Sequence, residues 1–179
     1  MRGLSDFDVR HRFVWSPIWT VSLGGKSLKD RLINGWQLAS IFSIQIGRPF
    51  TPGESGNISG TLQNLDRPNA VAGCNPNDGP KTPDQWFNTA CFSLLPTNTF
   101  GNAGRNVVTG PGLVNVDLSL SRIFAIRERL RLQFRAEAFN VANHPNFNFP
   151  AATQNSPSFG HIASAADPRQ IQLGMKLVF

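Results

Sequence analysis

The chain has 179 residues and a formal net charge of +6, with 16 glycines, 13 prolines and only 16% charged residues. This length accommodates one ordinary domain, and the composition favours strands and loops over helices. The basic residues are spread along the chain, which argues against a nucleic-acid partner, and no apolar run reaches the roughly 18–20 residues of a membrane-spanning helix.

The N-terminal part of the chain begins with MRGLSDFDVRHRF, which lacks the apolar core of a signal peptide. We therefore expect either that the protein stays inside the cell or that its true beginning is missing. A first strand is predicted over residues 12–23, RFVWSPIWTVSL. Pro17 weakens it, because proline donates no hydrogen bond to a neighbouring strand. A second strand is predicted over residues 35–47.

A long connection then runs from about residue 48 to residue 112, and loops of that length without secondary structure are usually functional. It contains both cysteines, Cys74 and Cys91, in a Pro/Asn/Gly-rich region with few apolar residues. We favour a disulfide between them over two reduced thiols, and a disulfide implies an oxidising compartment. The wide spacing and the absence of a nearby histidine argue against a metal site.

Three further strands are predicted over residues 113–124, 130–142 and 169–179, and in them apolar and polar residues alternate clearly. Each strand therefore has one apolar and one polar face. The polar face carries Asp117, Arg131, Gln133, Arg135, Glu137, Gln170, Gln172 and Lys176. The apolar face of the last strand carries Ile171, Leu173, Met175, Leu177 and Phe179.

The short connection AIRER predicts an antiparallel hairpin between the third and fourth strands. A turn centred near Arg127 places residue 117 opposite 137, 118 opposite 136 and 119 opposite 135. Asp117 would then face Glu137, a like-charge pair that a water-filled lumen tolerates better than a packed core.

Short and long connections alternate along the chain, with a second long one from about residue 143 to residue 168. Outer-membrane barrels show this asymmetry, since they have short periplasmic turns and long external loops. The predicted fold is all-β: an antiparallel meander of about five long strands, forming a partial outer-membrane barrel with long external loops. Aromatic residues near the strand ends suit interfacial girdles, with core packing as the alternative: Phe13, Trp15, Trp19, Trp36, Phe50, Phe124, Phe147 and Phe149.

Several stretches carry a resemblance to a known family: DVRHRFVWS, NGWQLASIFSIQIGRPFTP, PDQWFNTACF, FGNAGRNVVTGPGLVNVDLSLSRIF, RLRLQFRAEAFNVANHPNF and SAADPRQIQLGMKLVF. The chain resembles the C-terminal end of TonB-dependent outer-membrane receptors, in particular the Oar-like group with an N-terminal carboxypeptidase-regulatory-like domain. The resemblance implies a barrel of about 22 strands, plugged by an N-terminal domain, that imports a scarce nutrient with energy from TonB.

The chain departs from that family in lacking a plug, an energy-coupling box and most of the strands. We therefore expect residues 1–179 to be a C-terminal fragment that does not transport alone. An open sheet in lipid leaves unpaired backbone groups at both edges, so the isolated chain is expected to aggregate or to remain peripheral.

The family reading assigns roles to the residues named above. The polar-face residues would line the lumen, and the alternating residues from Ile171 to Phe179 would form the signal that barrel-assembly machinery reads. Trp86 and Phe87 would contact a small-molecule or oligosaccharide substrate, because exposed aromatic rings suit ligand binding, unless they only pack the loop. Outer-membrane lipid would surround the sheet, and TonB would act only through the missing N-terminal part.

No catalytic motif accompanies these features. The three histidines are scattered, and neither a nucleophile elbow nor a zinc-protease motif occurs, so we expect no enzymatic activity and no cofactor. The alternative to a membrane barrel is a secreted soluble β-sandwich that binds carbohydrate or protein through its long loops.

Overall fold

A computed structural model describes residues 3–22 and 33–179. Within these ranges the chain is built from β-strands, with a 3-10 turn at Thr89–Cys91, which confirms the predicted all-β class. No helix in the described residues is long and apolar enough to cross a membrane. In chain order the strands are β1 (Arg12–Trp15), β2 (Ile18–Thr20), β3 (Trp36–Gln45), β4 (Pro49–Phe50), β5 (Glu54–Ser55), β6 (Leu65–Asp66), β7 (Asn69–Ala70), β8 (Phe92–Ser93), β9 (Val108–Thr109), β10 (Leu113–Ala125), β11 (Arg131–Phe139) and β12 (Gln170–Val178).

The chain divides into two compact units. The sheet unit comprises the described parts of residues 12–44, 114–145 and 167–179. The loop unit comprises the described parts of residues 1–11, 45–113 and 146–166. Both units draw on stretches that are far apart in sequence, so neither corresponds to a continuous domain.

The long strands form one six-stranded sheet with the order β1-β3-β10-β11-β12, and β2 also pairs with β3. Long strands that are adjacent in the sheet are also consecutive long strands in the sequence. The pairs β2–β3, β10–β11 and β11–β12 are antiparallel. The predicted meander is therefore confirmed. Its path is open: β1 and β12 lie at its two ends.

Pro17 divides the predicted first strand into β1 and β2. The backbone N–H of Ser40 still donates to the carbonyl of Pro17 at 3.1 Å, so the interruption keeps one hydrogen bond to β3. This arrangement follows from proline chemistry, because the ring removes the donor and leaves the acceptor. Residue 23, the end of the predicted strand, lies outside the described residues.

The β10–β11 hairpin has a different register from the predicted one. Ala125 pairs with Arg131, so the turn centres on residue 128, one residue beyond the predicted centre, and every pair is displaced by two residues. Ser119, and not Asp117, lies opposite Glu137. The predicted Asp117–Glu137 pair is therefore wrong, and Asp117 instead accepts a hydrogen bond from the backbone N–H of Asn140 at 2.9 Å. A displacement by an even number keeps each side chain on its predicted face.

The apolar face of the sheet carries an aromatic cluster near the β10–β11 turn. The ring of Trp36 lies 6.1 Å from that of Phe124 and 5.9 Å from that of Phe134, both edge to face. The guanidinium of Arg122 lies on the same face, 4.4 Å from the centroid of Phe124 and 5.5 Å from that of Trp36. Aromatic rings combined with a long cationic side chain are typical of residues at a membrane interface.

The long connection after β3 is ordered by its own small core. Short antiparallel pairs β4–β9, β5–β6 and β7–β8 organise the loop unit. Its buried apolar residues are Phe87, Cys91, Phe92, Ala103 and Val108. Phe87 makes edge-to-face contacts with Phe50, Phe92 and Phe159. The Cys74–Cys91 disulfide is formed beside this core, as predicted.

Candidate functional site

The polar residues predicted to line a lumen lie on one face of the sheet. Cross-strand pairs place Gln133 opposite Lys176 and Glu137 opposite Gln172. Gln172 Nε2 donates to Glu137 Oε2 at 2.6 Å, and Arg135 Nη1 lies 3.6 Å from Glu137 Oε1. One of these contacts joins β11 to β12 and the other lies within β11. We call this row of residues, Gln133, Arg135, Glu137, Gln172 and Lys176, the charged ladder.

The remaining polar-face residues lie towards the ends of the same strands. Arg131 is opposite Val178, and Gln170 is opposite Phe139. Gln170 Nε2 donates to Asp167 Oδ2 at 3.2 Å. The face is mixed, since Ile123 shares it opposite Gln133. Phe139 and Val178 are further apolar residues of this face. Its charged side chains nevertheless suit a solvated channel wall better than a packed core, and the lumen assignment stays a prediction.

The apolar residues of the C-terminal strand are all strongly exposed. Their exposed fractions are 70% for Ile171, 71% for Leu173, 76% for Met175, 52% for Leu177 and 95% for Phe179. Large contiguous apolar exposure of this kind marks a surface that meets lipid or another chain. The recognition of this strand by assembly machinery stays a prediction.

The two aromatic residues predicted to contact a ligand have different environments. Phe87 has an exposed fraction of 0% and lies at the centre of the loop core, so its predicted ligand contact is wrong and the alternative, packing of the loop, holds. Trp86 is half-buried. Its Nε1 donates to the carbonyl of Thr109 at 2.9 Å, and Lys81 Nζ lies 5.4 Å from its ring centroid. A ligand role for Trp86 stays a prediction.

Two cavities of the loop unit share Arg48 and Phe149. The first has a volume of about 430 Å³, and the second has a volume of about 190 Å³. Arg48 Cζ lies 5.3 Å from the centroid of the Phe149 ring. The first cavity is also lined by Asp6, Phe7, Arg105 and Asn106, and the second by Gln45, Asn146 and Asn148. We call the two cavities together the Arg48 site.

Glycines allow the close backbone packing on which the Arg48 site rests. A Cβ on Gly47 would lie 1.8 Å from the carbonyl oxygen of Gly110, and a Cβ on Gly110 would lie 2.4 Å from Cε1 of Phe149. The N–H of Gly110 donates to the carbonyl of Arg48 at 2.9 Å. Only residues without a side chain fit at these two positions, which fixes Arg48 beside Phe149.

The N-terminal segment forms one wall of the first cavity, held by a buried asparagine. Asn106 Nδ2 donates to the carbonyl of Leu4 at 2.7 Å and to Asp6 Oδ1 at 2.6 Å. Its Oδ1 accepts from the Thr51 hydroxyl at 2.9 Å. Arg105 Nη2 lies 3.0 Å from Asp6 Oδ2. These hydrogen bonds and the ion pair hold the N-terminal segment in place as the wall of the cavity.

These contacts also set the charge of the first cavity. The hydrogen bond from Asn106, followed by that from Arg105, holds the pKa of Asp6 below its usual range, so this carboxylate stays ionised at neutral pH. Its charge offsets that of Arg105. Among the described residues, no carboxylate lies within ion-pair distance of Arg48. The cavity lining therefore has a net positive charge.

Two buried carboxylates elsewhere in the loop unit have structural partners. Glu54 Oε2 accepts from the backbone N–H of Leu95 at 2.9 Å, and Asp66 accepts from the N–H and the hydroxyl of Ser59 at 2.9 and 2.8 Å. The bonds from Ser59 lower the pKa of Asp66. In the part of the chain that the structure describes, no group of three or more potential metal ligands occurs.

The Arg48 site was missed by the sequence analysis. Phe50 and Phe149, for which interfacial girdles and core packing were the two alternatives, lie in the loop unit with their rings 5.5 Å apart. Arg48 directly follows the end of the second predicted strand, and a charged residue entering a long functional loop was the available signal. The other lining residues come from segments around Asp6, Arg105 and Phe149, which lie about 40 to 100 positions from Arg48 in sequence, and no local pattern reveals that they meet.

Comparison with known proteins identifies a family. A family profile described as "Outer membrane beta barrel domain" matches residues 1–172. No curated protein and no solved structure gives a match. The family places the chain in the cell outer membrane, and together with the single sheet of long strands it contradicts both an intracellular location and a soluble two-sheet sandwich. The chain belongs to the outer membrane beta barrel domain family.

Proposed function

We propose that this chain is the C-terminal part of a TonB-dependent outer-membrane transporter for nutrient uptake, and that it acts together with a plug and further strands. The observation that carries the proposal is the open antiparallel sheet with a charged ladder on one face and exposed apolar residues on the other. That arrangement suits a segment of a large barrel wall. The resemblance to Oar-like receptors supplies the transport function.

The partners follow from the two faces and the edges of the sheet. Outer-membrane lipid contacts the apolar face, and water and substrate contact the charged ladder. Barrel-assembly machinery engages β12, and TonB acts through the N-terminal part of the receptor. We infer a role in transport and not in catalysis, because the two carboxylates of the polar face already have partners: Asp117 accepts from the backbone N–H of Asn140, and Glu137 contacts Gln172 and Arg135.

A genetic test uses the source organism. The coding segment for residues 1–179 is deleted in place, and growth is compared on a panel of single nutrient sources with that of a TonB deletion and of the double deletion. We expect growth to be lost on a subset of the nutrients that require TonB, with no additional loss in the double deletion. Additive loss, or normal growth on every TonB-dependent nutrient, would contradict the proposal.

A further inference from the structure

The Arg48 site has the size and form of a small-molecule site. Its larger cavity, about 430 Å³, falls within the range of roughly 300–1,000 Å³ that is usual for ligand pockets. The smaller cavity adjoins it at Arg48 and Phe149. Both belong to the loop unit, whose disulfide and aromatic core hold the lining segments in place.

The charge of the site selects an anion. Asp6 is the acidic residue of the lining, and its carboxylate is already engaged by Asn106 and Arg105. Arg48 is exposed, and its guanidinium is oriented by stacking on Phe149. A guanidinium presents parallel N–H donors that match both oxygens of a carboxylate.

The apolar part of the lining selects a ring. Phe7 has an exposed fraction of 81% and Phe149 one of 43%, although both line the larger cavity. A ligand is bound more tightly when its flat or apolar ring face covers an exposed phenylalanine ring. In the smaller cavity Gln45 and Asn148 supply amide groups that suit hydroxyl or carbonyl substituents on such a ring.

We propose that the Arg48 site binds a small molecule that carries a carboxylate on a ring, with the carboxylate on Arg48 and the ring between Phe7 and Phe149. The chemistry is shared by aromatic acids and acidic sugars. This proposal rests on the proposed transport function, because it names the substrate class that the loops of the transporter take up.

The test uses outer membranes isolated from the source organism, in which the chain is present with the strands that complete its sheet and with its disulfide oxidised, and membranes from the segment deletion serve as the blank. Saturation-transfer NMR is recorded with two probes, galacturonate and 4-hydroxycinnamate, and with their uncharged counterparts, the methyl ester and the amide. We expect one of the acids to bind and its uncharged counterpart to bind about tenfold more weakly or worse, because a charge-assisted hydrogen bond is lost. The acid that binds shows whether the natural ligand is an acidic sugar or an aromatic acid.

Variants assign the binding to the site. Arg48→Gln should weaken binding of the acid about tenfold or more, and Phe7→Ala should weaken it without disturbing the fold, because that ring is largely exposed. Lys81→Gln is the matched control, since it removes the same charge from the loop unit outside both cavities. Amide hydrogen exchange around Phe87 verifies that each variant is folded.

Three results would overturn the proposal: binding of neither acid to the folded chain, equal binding of acid and uncharged counterpart, or unchanged affinity in both Arg48→Gln and Phe7→Ala. Each of these leaves the transport function intact if the segment deletion still shows TonB-dependent loss of growth. If the deletion strain grows normally while the chain still binds the acid, the result counts against the transport function and leaves the binding proposal intact.

Discussion

At the scale of single residues, Asp6 shows how one carboxylate holds a distant segment in place. It accepts hydrogen bonds from Asn106 at 2.6 Å and from Arg105 at 3.0 Å. Both favour the ionised form, so its pKa is lower in the folded protein than in the unfolded chain. The stabilisation is therefore complete above the ordinary pKa of 3.8 and is lost as the pH falls through the folded value.

Acidification is expected to release the N-terminal segment. Hydrogen-exchange protection of residues 5–8 should decrease progressively below about pH 3.8, the ordinary pKa of an aspartate. In Asp6→Asn the protection should be reduced already at pH 7 and should change little on acidification. Asp8→Asn is the control, because the ion-pair partner of the Asp8 carboxylate among the described residues is the exposed Arg10, at 3.5 Å, which lies outside the cavity lining. Equal protection of wild-type residues 5–8 at pH 7 and pH 2 would contradict this assignment.

Arg122 is a second residue whose role only the structure shows. Its position in the alternation places it on the apolar face, and the sequence alone gives no reason for a charge there. Its guanidinium covers the rings of Phe124 and Trp36. A long side chain can pack its stem on apolar groups while its charged end reaches a polar interface, which reconciles the charge with a position on the apolar face.

At the scale of elements, the disulfide connects the two sides of the loop core. Cys74 and Cys91 are separated by 17 residues, and Cys91 is almost completely buried. In the chain-entropy model a loop of this length gains about 3 kcal/mol from the cross-link. The segment between the two cysteines has few other apolar residues, so the stabilisation from the disulfide is large relative to that from the packing of this segment.

Replacing both cysteines should therefore destabilise the loop unit selectively. In Cys74→Ser/Cys91→Ser we expect amides around Phe87 and Phe92 to exchange with a free energy of opening lower by about 3 kcal/mol. Amides of β11 should be unaffected, because that strand belongs to the sheet unit. Reduction of the wild-type chain should reproduce the effect. An unchanged opening free energy at Phe87 would show that the aromatic core is sufficient by itself.

The long strands could be predicted because their alternation extends over many residues. The hairpin register could not: the segment from Ile126 to Leu130 contains neither Gly nor Asn to mark a turn type, so two registers of equal parity fit the same pattern. The loop unit was beyond prediction for another reason. Its strands are two residues long, and its order comes from Phe87, the disulfide and contacts such as Asn106 to Leu4.

At the scale of the whole molecule, the sheet has two edges. Among the described strands, β12 pairs only with β11, and β1 only with β3. An edge in lipid exposes unpaired backbone groups, each costing several kcal/mol, so the sheet needs further strands to be stable in a bilayer.

We therefore expect the isolated chain to aggregate or to remain peripheral when it is mixed with detergent or lipid. The measurement is electrophoresis with and without heating, since closed barrels migrate faster before they are heated. The expected result is the same mobility in both samples, and a bacterial eight-stranded barrel serves as the positive control. A heat-modifiable monomer of this chain would show that it closes without additional strands.

The anchoring of Leu4 and Asp6 by Asn106 has a consequence for the order of folding. The β10–β11 hairpin joins neighbours in sequence, whereas the contact from Asn106 to Leu4 spans 102 residues. Short-range contacts form earlier than long-range ones, because closing a long segment costs more entropy. We expect the hairpin to form early and the Arg48 site to be completed last. Until that final step, the newly made chain has its hairpin without the completed Arg48 site, so the proposed ligand could bind only after folding is finished.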